Sequence, residues 1–360
     1  MMPARIAATS ADDQIKEIVG SGPFRFVREE WHPGDQAVYV RNAEYVPRNE
    51  APSGSAGGKK AHLDRVIWRY IPVHEKAAEA LAAGEVDWWD VPPLDFIPKI
   101  EQNPDLRTLV PDPLGAQGWL RPNHLHPPFN HRKGREALLH MMDQVTYLHM
   151  AIGQAKYYRP CYSVYPCGGP YQNRAGAESL TRPDLARARQ LVKESGYDGR
   201  PLVVIQVTDL PFMERASLVT QRRLEAIGFN VDLKAMDWSS HLALRASKEP
   251  PAKGGWNVIH TWWQAADLLN PAVHFGLSGA GGDARFGWPS IPQLEKLAID
   301  WVRTTDETRR KQLAEDIQRI ALAEVSYVPW GEWFFPTAFR KNVQGILKFT
   351  APLFWNVQIV

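Results

Sequence analysis

Cysteine is scarce in this chain. Of 360 residues only Cys161 and Cys167 are cysteines, and without a second pair of thiols or suitably spaced partners a structural zinc site is not expected. The two lie close together in Arg159-Pro-Cys-Tyr-Ser-Val-Tyr-Pro-Cys-Gly-Gly. In an oxidising compartment they can close a small disulfide loop, and in the cytosol they would be two free thiols. Charge of one sign is also lacking: a formal net charge of +2 gives no strong field for nucleic acid or an anionic membrane. No apolar run is long enough to cross a bilayer, and Met1-Met-Pro-Ala-Arg5 contains no apolar stretch that could act as a secretory signal. Gly20-Ser21-Gly22 lacks the third glycine and the helix start of a dinucleotide loop. Gly276-Leu-Ser278-Gly-Ala280 resembles a nucleophile elbow, but alanine replaces its last glycine and no strand-to-helix context surrounds it. No pair of carboxylates has a spacing that identifies an acid and a base.

What the chain has is length and tryptophan. A chain of 360 residues suits two lobes better than one compact unit, and 14 tryptophans supply flat, amphipathic surface for a ligand or a thick core. The most informative stretch is residues 255–271, in which Trp256, Trp262 and Trp263 precede a single acidic residue, Asp267. It reads as a pocket wall with one charged anchor. A buried strand with Val258 and Ile259 in the core and a turn at Asp267 has the same local pattern.

Periodicity predicts a hairpin over 19–45, with strands near 24–27 and 37–40, then an exposed loop rich in Gly, Ser and Pro over 47–60. A strand at 66–71, a helix at 73–83 closed by Gly84 and a strand at 86–91 predict an α/β sheet with at least partly parallel strands. A second βαβ series follows: a helix capped by Asp184 and ended by Gly196, a strand at 201–207, a helix at 215–227 closed by Gly228 and a strand at 230–234. Leu294, Leu297, Ala298 and Trp301 form a helical stripe, and Thr304 and Glu307 have capping-box spacing before a last helix. A strand at 327–330 and an irregular tail complete the chain.

His124, His126 and His131 form a cluster that could hold a divalent metal in a hydrolase if the first two lay on a strand, although the two prolines that follow favour a polar loop. The ordered motifs point elsewhere. Val19-Gly-Ser-Gly-Pro-Phe-Arg-Phe, Trp31-His-Pro-Gly-Asp, Arg41-Asn-Ala-Glu-Tyr, Ala80-Leu-Ala-Ala-Gly-Glu-Val-Asp87 and Asn123 through Phe129, followed by Arg135-Glu-Ala-Leu-Leu-His-Met-Met-Asp143, together resemble the bacterial extracellular solute-binding proteins of family 5. This is the oligopeptide, dipeptide and nickel-binding class of ABC importers. Residues 188–197, 224–233 and the tryptophan-rich run before Asp267 continue the likeness in the same order.

The resemblance implies an α/β fold like that of the type II periplasmic binding proteins. It divides the chain into part of lobe I over 1–112, lobe II over 113–334 and a return to lobe I over 335–360, with hinges near 111–115 and 333–337. It implies a binding protein, with no enzyme activity, cofactor or metal, that closes on a peptide or related small solute and delivers it to a membrane permease. The full-length protein would be a periplasmic monomer. Asp267 would hold the ligand ammonium, with Trp262, Trp263 and Gln264 as pocket neighbours. Relatives carry a longer N-terminal region, so the first lobe is expected to be incomplete, with an open sheet edge and exposed apolar surface. The alternatives are a metal-dependent hydrolase built on the histidines, or a truncated remnant that binds nothing.

Overall fold

The computed structural model describes residues 3–10, 15 and 17–360. In chain order the strands are β1 (Phe24–Phe26), β2 (Gln36–Arg41), β3 (Arg65–Arg69), β4 (Trp88–Trp89) and β5 (Leu106–Leu109). They continue as β6 (Ala116–Pro122), β7 (Tyr158–Arg159), β8 (Leu202–Val207), β9 (Val231–Met236), β10 (Val258–Gln264) and β11 (Val328–Trp333). The last three are β12 (Thr337–Arg340), β13 (Val343–Gln344) and β14 (Gln358–Ile359). Two compact units result: Met1–Pro113 with Phe335–Val360, and Leu114–Phe334.

The first unit holds three small antiparallel sheets, β1-β2-β3, β4-β12-β5 and β13-β14. The hairpin is present, with Phe24 opposite Arg41, and Gly34 at φ 82° makes its turn. Helix His74–Ala83 ends at Gly84, which adopts the left-handed cap conformation. The strands on either side of this helix do not join, contrary to the parallel sheet expected from their order. Among the described residues β3 pairs with β2 and β4 with β12, all antiparallel. Chain order alone does not make two strands neighbours. Here β4 lasts two residues before Pro92 and Pro93, which have no N–H to extend a ladder. A groove of about 590 Å³ runs between β3 and β4. It is lined by the exposed Ile67, Trp68 and Tyr70.

The second unit is built on one mixed sheet in the order β7-β11-β6-β10-β8-β9. Its parallel part comes from the predicted alternation. Helix Pro211–Ala226 carries the chain from β8 to β9, which pair in parallel from Leu202 and Val231 to Val207 and Met236. Asp184 caps helix Leu185–Glu194 by accepting from the Arg187 N–H. The last helix, Glu307–Glu324, is capped by Asp306 and not by Thr304. Thr304 instead closes the preceding helix, and its carbonyl accepts from Arg310 Nε at 2.8 Å. At the centre, every residue of β6 and of β11 is buried, so the sheet is covered on both faces there.

Cys161 and Cys167 are joined in a disulfide. The loop they close is fastened to β11, because the Cys167 N–H donates to Glu332 at 2.9 Å and Arg159 pairs with the same carboxylate at 2.7 Å. Burial pushes the Glu332 carboxyl up, and Arg159 opposes that shift. Reduction should release a six-residue sequence separation and lower stability by roughly 2 kcal/mol. The check is a urea midpoint measured with and without dithiothreitol.

Candidate functional site

The aromatic segment becomes β10, placed in the interior of the sheet by antiparallel pairing with β6 from Val258 and Pro122 to Gln264 and Ala116. At its end the Ala265 N–H donates to the Gly115 carbonyl at 2.8 Å. A single turn of 3-10 helix, Ala265–Leu268, then carries Asp267. Because successive strand residues point to opposite faces, the two tryptophans separate. Trp262 lies 5.0 Å from the Phe212 ring and 4.9 Å from Trp238. Trp263 lies on the other side, 4.0 Å from Phe275 and 6.3 Å from Trp119. The two indoles therefore pack on opposite faces of the strand end. Gln264 is half-buried, and Asp267 is exposed with no hydrogen bond or ion pair to any described residue.

The Trp263 face is a layered aromatic platform. Trp119 stacks on Tyr327 at 4.4 Å and on His274 at 5.6 Å. One buried amide ties the layer together: Trp119 Nε1 donates to Gln117 Oε1 at 2.9 Å, and the Tyr327 hydroxyl donates to the same oxygen at 3.2 Å. His274 Nε2 donates to the Val164 carbonyl at 2.9 Å. On the opposite face Trp330 and Trp333 stack at 4.7 Å, and His260 Nε2 lies 2.8 Å from the Thr220 hydroxyl.

Both histidines are 2% exposed. Burial lowers His274 to about 4 and His260 to about 3. The unfolded chain therefore takes up protons below pH 6.5 that the folded chain refuses until near pH 4. Their contribution is fully present above pH 6.5 and is lost as the pH falls through that window, at roughly 1.4 kcal/mol per histidine per pH unit. Urea midpoints at pH 7.5 and pH 5 should show the loss, and the His274→Gln variant should show a shallower one.

Hydrolase chemistry finds no support in the geometry. His124, His126 and His131 do not converge on a metal. His124 bonds the Val325 carbonyl and His126 the Lys248 carbonyl, each at 3.0 Å, while His131 caps helix Arg132–Met141. The chain turns after Pro122, so the first two histidines are not on a strand. Among the described residues Cys161, Cys167 and Glu332 are the one close group of metal-ligand types, and both sulfurs are consumed in the disulfide. Ser278 donates to Glu295 at 3.2 Å and makes no hydrogen bond to a histidine among the described residues. Arg121 was not singled out by sequence reasoning, although it is a lone charge in Ala116–Pro122 at the spacing of Gln117 and Trp119.

Residues 2–283 match the bacterial extracellular solute-binding proteins, family 5 Middle. The chain is 34% identical over 362 residues to a probable peptide ABC transporter periplasmic-binding protein of Sinorhizobium fredii, covering 99% of this chain and 68% of that protein. It is 24% identical to the nickel-binding periplasmic protein of Escherichia coli, covering 88% and 59%. In structure it is similar to the dipeptide-binding protein of a Pseudoalteromonas species in complex with Met-Leu, with a TM-score of 0.74 at 18% identity, covering 94% and 64%. It is also similar to a periplasmic binding protein from Helicobacter pylori in complex with the peptide STSA, with a TM-score of 0.76 at 21% identity, covering 94% and 63%. The fold is thus the mixed α/β fold of the type II periplasmic binding proteins, and no helix of the described residues is long and apolar enough to cross a membrane. By the family match and the similarity to the Sinorhizobium protein, the chain belongs to the bacterial extracellular solute-binding proteins of family 5.

Proposed function

We propose that this chain supplies solute recognition to an ABC importer, as a periplasmic, monomeric, non-enzymatic protein that takes a peptide or related small solute and presents it to a membrane permease. The observation that carries the reading is Asp267, an exposed carboxylate with no partner among the described residues, at the end of an aromatic strand in a chain of this family. A free carboxylate in the turn that follows a strand bearing half-buried indoles can meet a ligand ammonium, and the contact strengthens as the ligand excludes water. Trp262, Trp263 and Gln264 are the neighbouring contacts in this reading, on two faces of one strand end. The permease and the periplasmic location in this reading are supported by the relatives, one named as a probable peptide ABC transporter periplasmic-binding protein.

The test is the mass of small molecules released by denaturing protein isolated from the periplasm, followed by calorimetry with the molecule found. A stoichiometric peptide, or another solute bearing an amine, is expected. Protein that releases nothing and shows no heat with peptide pools would overturn the proposal.

A further inference from the structure

The Trp263 face also gathers positive charge. Arg121 arrives on β6, Arg245 follows helix Trp238–Leu244, and Arg285 follows the 3-10 turn Gly281–Asp283. These residues are far apart in sequence, yet all three line one small pocket with Thr261, Trp263 and Phe286. Arg121 is 3% exposed, and its Nε and Nη2 have no hydrogen-bond partner; the Nε of Arg245 is also buried without one. None of the three forms an ion pair with a described residue. Their close contacts are aromatic: Arg121 lies 5.5 Å from the Trp119 ring, Arg245 lies 4.8 Å from Phe286, and Arg285 lies 4.8 Å from Phe275.

Elsewhere the chain pairs its buried charges. Arg135 donates to the Phe129 and Glu324 carbonyls and meets the Glu324 carboxylate at 3.2 Å, while Glu332 meets Arg159. The arginine pocket departs from that pattern. Burial lowers Arg121 to about 10, and the Arg285 charge pushes it the same way. A buried guanidinium with idle donors and two like charges nearby is costly to keep. Such a cost persists where a ligand compensates it.

We propose that Arg121, Arg245 and Arg285 form a subsite for an anionic group of the solute, a carboxylate or a phosphoryl group. Guanidinium forks suit both groups, because each offers parallel N–H donors to two oxygens. The space among them is about 20 Å³, little more than one water centre. It therefore admits the terminal oxygens of such a group, with the rest of the solute at the mouth beside Trp263. The inference rests on the solute-binding reading for the source of the anion, and adds an acidic group to the amine assigned to Asp267.

The test uses the whole chain as wild type, Arg121→Met and Arg285→Gln, titrated calorimetrically at constant ionic strength. The probes are inorganic phosphate, succinate, and one peptide with a free and with an amidated C-terminus. Saturable binding of at least one free anion is expected, weakened tenfold or more in both variants, and the probe that binds tells carboxylate from phosphoryl. Arg285 is exposed, so its variant keeps the test decisive if Arg121→Met fails to fold. No saturable anion binding by the wild type, or equal affinities in Arg285→Gln, would overturn the subsite. Anion binding through the arginines without any peptide binding would leave the subsite standing and count against a peptide solute. Equal binding of both peptide forms by all three proteins would do the reverse.

Discussion

Replacing Gly118 by alanine should destabilise the chain by about 3 kcal/mol, the upper end of the usual cost of adding a methyl to a closely packed core. A Cβ at this position in β6 would overlap the indole of Trp330. The indole has nowhere to go. It is fully buried, it stacks within 9° of parallel on Trp333, and Tyr147 lies 6.4 Å away on a hydroxyl held 2.7 Å from Thr220. The backbone cannot yield easily either, because Gly118 pairs with Trp262 on one side and with Gly331 on the other. The measurement is a urea midpoint, expected to fall sharply. Combining Gly118→Ala with Trp330→Leu should cost less than the sum of the two single changes, since the second removes the ring that the first strikes. An unchanged midpoint for Gly118→Ala would show that the sheet centre repacks freely.

This contact was not legible in the sequence, and the reason is general to the molecule. Local periodicity shows which residues form an element: Asp184 and Gly196 bracket their helix, and β8, helix Pro211–Ala226 and β9 lie where the alternation puts them. It does not show which elements touch. The strand-helix-strand order before residue 91 predicted a shared sheet, and the two strands went to different ones. Gly118 and Trp330 are separated by most of the second unit and meet only because β11 pairs with β6 and bulges between Pro329 and Gly331. The arginine pocket has the same character, drawing Arg121, Arg245 and Arg285 from three segments. Within the candidate site, the separation of Trp262 from Trp263 was available from the period of a strand. Reading the run as one aromatic wall overlooked that period. The exposure of Asp267 depends on the turn after β10, for which the sequence carried only Asn270-Pro271 as a signal.

Replacing Asp267 by alanine should weaken binding of an amine-bearing solute by about 2–5 kcal/mol, roughly thirty-fold to several-thousand-fold in Kd, the cost of removing one partner from a desolvated charge pair. The same change should leave folding stability within about 0.5 kcal/mol, because in the unliganded chain the carboxylate is exposed and bonded to no described residue. That separation is the physical content of the assignment. A carboxylate serving the fold would be paired and costly to remove, whereas one serving a ligand waits in water, and its contribution appears when the ligand covers it. Calorimetry with the solute and with its N-acetylated form completes the argument. Acetylation should weaken binding to the wild type and make little difference to Asp267→Ala, since each change removes a different half of one interaction. Equal affinities of wild type and Asp267→Ala for the amine form would remove Asp267 from the site. A large loss for both ligand forms would mean that the aspartate positions the turn after β10 and does not meet the amine.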